Sequence, residues 1–349
     1  MERPAHSTPL FGSNRFADLR TTVVFDSYWR FATERQAIFF RRLEGKPGPW
    51  TSDPILEGHR FTNAYRAADR VSQYLIGEVI YGPDRSMEPE EQLFRVLLFR
   101  LFNKIETWKM LEDRLGRLDW KTFDYAAYDE VLTAAMRRKS RLYSAAYIIP
   151  PVKWPEGGGV KHRGHLHLLR TALASKLVEN ITVAPSLGYV FALLKQLPSL
   201  GDFLAFQLAI DLNYTTLIDF PEDSFVVAGP GARDGIAKCF ANAADYSAED
   251  IIELMYDRQE IEFERLGLDF QSLWGRRLQL VDCQNLFCEI SKYARLAHPE
   301  IVGVSGRTRI KQIFRPSSSP MRVLFPPKWG LNDRLSTSRH SPEHFVQQG

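Results

Sequence analysis

Three carboxylates and one turn are the residues of this sequence best suited to chemistry. Glu222 and Asp223 are neighbours in FPEDSFVVAGPGARDGIAKCF, residues 220–240, and Asp282 lies on a later helical run. A fixed carboxylate can stabilise developing positive charge, orient a water or take a proton. Asp223 also precedes Ser224 and an apolar stretch, where the same side chain would cap a helix. The turn lies upstream, in KQLPSLGDFLAFQLAIDLNY, residues 195–214. Pro198 cannot continue a helix and Gly201 permits the backbone to open a second one. Leu197 and Leu200 can pack between the two helices. The backbone of Ser199, Leu200 and Gly201 then faces solvent near a helix N-terminus, where a phosphate oxygen is a suitable partner. A helical corner without any ligand has the same signature.

Other polar clusters have a structural and a functional reading. Asp211 and Asn213 end the second hairpin helix, as a buried pair or cap or as the wall of a ligand pocket. Asp282, Gln284, Asn285, Glu289 and Lys292 share one helical run, and Asp282, Asn285 and Glu289 fall on one face. They form either a buried polar network bracing two domains or part of a pocket. Asn63, Arg66, Asp69 and Arg70 suit an interhelical salt-bridge network. His162, His165 and His167 do not complete a metal set, so no metal is expected. Lys161 and Arg163 beside them, and Asn103 with Lys104, suit contact with a nucleic acid. MRRKSR at 136–141 is a further basic patch, by default a solvated helix face. No Lys-Ser/Thr follows Gly157–Gly159, so that triple is a surface loop, not a phosphate cradle.

Helices must position these groups. Apolar residues recur at helical spacing over 17–44, 60–81, 89–115, 126–148, 162–179, 186–196, 202–213, 232–243, 247–264 and 276–297, and no strand alternation is long enough for a sheet. The expected fold is all-α and two-lobed. Residues 15–115, completed by about 245–312, form one lobe. Residues 116–244 form the other, with the hairpin at 195–214, and 313–349 is a basic Pro/Ser-rich tail.

Charge is unevenly placed. Residues 301–349 hold eight Lys and Arg against two Asp and Glu, while the rest holds 37 against 40. Such a tail is either a contact for an anionic polymer or a solvated extension. No run of about 18 apolar residues predicts a membrane span, and MERPAHSTPL is not a secretory signal. Three cysteines, Cys239, Cys283 and Cys288, are expected as reduced thiols. These features predict a cytoplasmic monomer with no cofactor.

The hairpin followed by an acidic turn resembles the helix-hairpin-helix DNA glycosylases. Asp223, 26 residues after Leu197, matches the position of their catalytic Asp. EEQLFRVLLFRLFNKIETW (90–108) resembles their early helix, and Asn103 takes the place of the amide that fills the hole left by an extruded base. Two positions depart from the pattern. Ser199 replaces the usual first hairpin glycine, and Phe203 stands where lyase members carry a Schiff-base Lys. The cluster of four cysteines found in some members is absent.

Four strings resemble a narrower family: RFTNAYRAADRVSQYL (60–75), FRLFNKIETW (99–108), AGPGARDGI (228–236) and DCQNLFCEISKYAR (282–295). They look like the α-glutamyl/putrescinyl-thymine pyrophosphorylases, also described as the helical domain of 5-hydroxymethyluracil DNA kinases, and like bacterial anti-phage glycosylases. The resemblance implies DNA containing modified bases as partner. It implies Asp223 as catalytic carboxylate, with Glu222 and Asp282 as substitutes. It puts Ser199, Leu200, Gly201, Lys161, Arg163, Asn103 and Lys104 on the DNA, and Asp211, Asn213, Gln284, Asn285, Glu289 and Lys292 in the base pocket. Two activities fit: excision of a bulky modified pyrimidine by base flipping, and transfer of a group onto a phosphorylated hydroxymethyl-pyrimidine. Excision needs only a pocket and a carboxylate, whereas transfer needs a further phosphate site. Excision is therefore the first expectation, and a DNA-binding module without chemistry the third.

Overall fold

The computed structural model describes residues 15–152, 159–316 and 321–337. The first 14 residues, Gly157, Gly158 and Ser317–Ser319 lie outside the described residues. Described residues form fourteen α-helices: α1 (Val23–Leu43), α2 (Pro54–Gly58), α3 (Arg70–Tyr74), α4 (Pro89–Phe102), α5 (Ile105–Leu115), α6 (Tyr125–Arg137), α7 (Lys161–Ala174), α8 (Leu177–Thr182), α9 (Leu187–Lys195), α10 (Asp202–Leu212), α11 (Pro230–Cys239), α12 (Ala248–Arg265), α13 (Leu280–Ala297) and α14 (Asn332–Thr337). Among these residues there are isolated bridges but no strand, so the fold is all-α as expected. No described helix is long and apolar enough to cross a membrane.

The described residues divide between two compact units, one within Met1–Arg66 and Val226–Arg322, the other within Ala67–Phe225 and Val323–Gly349. The divisions fall after 66 and 225, not near 115 and 244 where the sequence placed lobe boundaries.

In the first unit α13 is the central helix. Cys283, Phe287, Ile290 and Ala294 are fully buried on it. Tyr28 of α1 lies 4.8 Å from the Phe287 ring, and Trp29 meets Phe263 of α12 edge-on at 5.2 Å. On another side α11 presses Gly231 and Gly235 against α13. A Cβ on Gly235 would stand 2.0 Å from the Phe287 carbonyl oxygen.

In the second unit α4 is the axle. Its residues from Glu91 to Phe102 are all buried, the pattern of a helix surrounded by protein. Its polar side chains are buried with partners on neighbouring segments. Glu91 accepts from the backbone N–H of Trp120 and Lys121, Gln92 accepts from Thr216, and Arg95 donates to the carbonyl oxygens of Val79 and Ser86. These bonds offset the cost of taking the polar groups from water. Part of the basic tail also belongs to this core. Phe325 is fully buried, Trp329 packs edge-on against Tyr214 at 5.7 Å, and Lys328 donates to the Ile218 carbonyl at 2.6 Å. Residues 323–337 are thus not a solvated extension. Exposed basic residues lie mostly before this segment, at Arg307, Arg309, Lys311, Arg315 and Arg322, with Arg334 exposed within it.

Several expected helices are broken, among them the run 162–179, where α7 ends at Ala174 and α8 begins at Leu177. Residues 60–65 of the run 60–81 are non-helical, followed by a 3₁₀ turn, α3 and a π-helical segment, Leu75–Ile80. The run 89–115 splits at Asn103, whose left-handed conformation (φ 48°) ends α4. The run 126–148 stops at Arg137, and 138–152 is an irregular loop.

Candidate nucleic-acid interface

The hairpin forms where its punctuation places it. α9 ends at Lys195, Pro198 follows, and α10 starts after Gly201. Leu200 is buried beneath the turn, Gly201 is exposed, and Lys195 pairs with Asp202 across it at 2.6 Å. Ser199 adopts φ +67°, and its hydroxyl donates to the Pro151 carbonyl at 3.2 Å. Non-glycine residues pay about 1–2 kcal/mol there. Ser199→Gly removes that strain but loses the hydroxyl bond and gains unfolded-state freedom, so denaturant melts should move by less than about 1 kcal/mol. Ser199→Val adds β-branching at the same φ and should cost about 2 kcal/mol or more. Equal melts for the two variants would refute the left-handed turn.

The loop 138–152 lies against this hairpin and the end of α4. Lys104 donates to the Arg141 carbonyl, Thr107 to Leu142 at 2.7 Å, Ser144 N–H to Phe102 at 3.1 Å and Asn103 to Ala146 at 3.0 Å. Tyr143 stacks on Phe102 at 5.1 Å and Tyr147 on Phe203 at 5.5 Å. His165 of α7 reaches the loop twice, with Nε2 2.9 Å from the Pro150 carbonyl oxygen and Nδ1 3.1 Å from the Tyr143 hydroxyl. The ring therefore carries its proton on Nε2 and accepts at Nδ1.

Burial pulls the His165 pKa down to about 4. The Pro150 bond works against this, and the Lys161 and His162 charges add to it. A depressed histidine binds protons more readily unfolded than folded, between its folded value and the ordinary 6.5. Stability should thus be complete above about pH 6.5 and fall toward pH 4, by up to about 3 kcal/mol. Denaturant midpoints from pH 7 to 4, compared with His165→Gln, measure it. An equal acid slope in the variant would remove His165 as the cause.

The acidic residues downstream of the hairpin differ in setting. Asp211 is fully buried, 2.5 Å and 2.7 Å from Arg100 of α4. Arg100 also donates to Asn103 at 2.7 Å, so Asn103 is buried within a chain running from α10 to the loop. Asn213 brackets the backbone of Phe220 through both amide atoms, each at 2.9 Å, and donates to buried Glu222 at 3.4 Å. This shapes the turn that carries Asp223, whose side chain is exposed. Lys161 and Arg163 are half-buried. Lys161 lies over the Tyr143 ring at 4.1 Å, and Arg163 pairs with Asp129 at 2.9 Å. His162 also bonds Asp129, at 2.7 Å. No group of acidic, His and Cys side chains suited to a metal occurs among the described residues.

In the first unit, the polar face of α13 holds the segment 62–66. Asp282 accepts from the N–H of Arg66 at 2.7 Å and of Gln279 at 3.0 Å, the latter as part of a capping box. Asn285 donates to Thr62 and to the Asn63 carbonyl, and Glu289 accepts from Thr62 N–H at 3.0 Å and pairs with Lys292. Arg35 of α1 completes the clasp through Thr62 and Asn63. Gln284 is buried and donates to Cys288. This is a bracing network within one unit.

Two features escaped sequence reasoning. Residues 138–148 of the loop 138–152 were read as helix. A cluster also joins buried Asp234 and Lys238 of α11 to buried Ser291 of α13 and to exposed Ser305. Burial opposes the Asp234 charge, but bonds from Ser291 and Ser305 hold its carboxyl below the usual range. The spacing Gly231–Gly235, a small-residue face beside Asp234, was the available signal.

The family described as "5-hmdU DNA kinase, helical domain" matches residues 22–303. A curated relative, the 5-hmdU DNA kinase of Bacillus phage SP10, is 29% identical over 289 residues, covering 77% of this chain and 45% of the relative. The chain thus spans about half the length of that relative. No solved structure matches. These findings overturn the first expectation, a base-excising glycosylase and hydrolase, because both matches carry the description of a kinase.

Proposed function

The chain belongs to the family of 5-hmdU DNA kinase helical domains, and on that premise we propose that it is the DNA-binding, base-presenting part of a transferase acting on the hydroxymethyl group of a pyrimidine in DNA. The family match across residues 22–303 carries this reading. The sequence has no G-x-x-x-x-G-K-[ST] run, so donor phosphates would not be cradled by a P-loop of these residues. The groups in hand suit the acceptor side: the hairpin N–H groups, the basic stretch 136–141 at the end of α6 and an exposed carboxylate.

In phosphoryl transfer the hydroxymethyl oxygen attacks the terminal phosphorus of a nucleoside triphosphate. The new O–P bond forms as the bond to the bridging oxygen breaks, and the diphosphate leaves with the electron pair. The hydroxyl proton needs an acceptor, and Asp223 is the exposed carboxylate on a turn fixed by Asn213 and Glu222. Positioning plus electrostatics supplies most of such catalysis.

The test compares duplexes with hydroxymethyluracil or thymine at one position, by fluorescence anisotropy at several salt concentrations and by label transfer from a γ-labelled triphosphate. Binding should weaken steeply with salt, favour the hydroxymethyl duplex by about tenfold (1.4 kcal/mol), and support label transfer to it alone. Equal binding to both duplexes without transfer would overturn the reading.

A further inference from the structure

We infer that the loop 138–152 is a wedge that enters the base stack of bound DNA, with Ile148 as the inserted side chain. This rests on the reading above that the partner is DNA. Six described non-glycine residues have positive φ, and four of them meet here: Lys139 and Tyr147 within the loop, Asn103 and Ser199 at its two supports. Strain of this kind persists only where surrounding structure over-determines it, and it gathers at functional segments.

The supports are numerous. Backbone carbonyls of Arg141, Leu142, Ala146, Pro150 and Pro151 each receive a side-chain bond from outside the loop. At Tyr147 the left-handed residue (φ +53°) turns the chain so that its own ring stacks on Phe203, Ile149 is buried, and Ile148 between them stands out, 54% exposed. An apolar side chain such as Ile on a braced tip is among the groups that proteins insert between base steps.

The flanks match a polyanion. Arg137, Arg138, Lys139 and Arg141 are exposed, and no Asp or Glu occurs between Glu130 and Glu156. Val183 is more exposed than Ile148, at 78%, but no Lys or Arg lies between Lys176 and Lys195 to hold phosphates beside it.

The experiment uses the full chain and a duplex carrying 2-aminopurine beside hydroxymethyluracil, whose fluorescence rises when the base unstacks. Wild type should bind and brighten the probe. Ile148→Ala should keep wild-type affinity and circular dichroism yet lose most of the brightening, and Ile148→Leu should restore it. Arg138→Glu with Arg141→Glu should weaken binding and flatten its salt dependence while saturating protein still brightens the probe. Wild-type binding without brightening, or full brightening by Ile148→Ala, overturns the wedge and leaves the DNA reading standing. Absence of wild-type binding to any duplex overturns both.

Discussion

On the proposed transferase reading, Asp223→Asn protein should transfer phosphoryl groups to hydroxymethyl-DNA about 100- to 10,000-fold more slowly than wild type, the span that a positioned general base contributes. That corresponds to roughly 3–5 kcal/mol of barrier. The three carboxylates singled out by the sequence differ in what already holds them. Asp282 accepts from two backbone N–H groups, those of Arg66 and Gln279, and serves the start of α13. Glu222 is buried, 3.4 Å from Asn213. Asp223 is exposed on a turn whose shape Asn213 fixes. Asn keeps the size of Asp and its capping ability, so folding should change little; the negative charge and the capacity to take a proton are lost. DNA affinity should hold or tighten, since a negative charge near phosphates disappears. Single-turnover label transfer beside anisotropy separates the two effects. Wild-type transfer by the variant would remove Asp223 from the chemistry.

Much of the helix pattern was legible because it has local causes. The hairpin helices, read at 186–196 and 202–213, stand at Leu187–Lys195 and Asp202–Leu212, since Pro198 and Gly201 act on the backbone directly. The run 60–81 failed for the opposite reason. Its first residues keep helical spacing, but their backbone is claimed by Asp282, Asn285 and Glu289 of α13, more than two hundred positions away. Tertiary partners outweighed propensity there, and one sequence cannot display them. The break at Asn103 was missed within the run 89–115, although Asn commonly takes the left-handed residue that ends a helix.

The chemistry was less legible than the fold. A hairpin and a carboxylate serve excision and group transfer alike, since both must hold DNA and place one charged group. Ranking excision first used the lack of a phosphate loop, which bears only on where a donor binds within these residues. It says nothing about what happens to the acceptor base. The polar face of α13 was open between brace and pocket for a related reason: residue types reveal that a face is polar, but not which backbone it binds.

Gly235→Ala should be the most damaging small substitution in the first unit. A helix interior normally favours alanine over glycine by about 1 kcal/mol, so propensity alone predicts a gain. The packing reverses the sign. An added Cβ would lie 2.0 Å from the Phe287 carbonyl oxygen and 2.8 Å from its carbon, and ordinary C···O contact is about 3.3 Å or more. Backbone cannot rotate out of the way as a side chain can, so α11 and α13 must part by roughly the missing ångström. That separation strains the buried bonds from Ser291 and Ser305 to Asp234 and the contact of Tyr28 with Phe287. A net loss of about 3 kcal/mol or more is expected, a large part of a typical total of about 5–15 kcal/mol. Melting should fall by roughly 10 °C at this size. Gly231→Ala is the internal control. Its Cβ would meet the Cys288 sulfur at 3.0 Å, and that side chain can shift, so its loss should be under half as large. If Gly235→Ala melted at or above wild type, the helices could not be in backbone contact at this position.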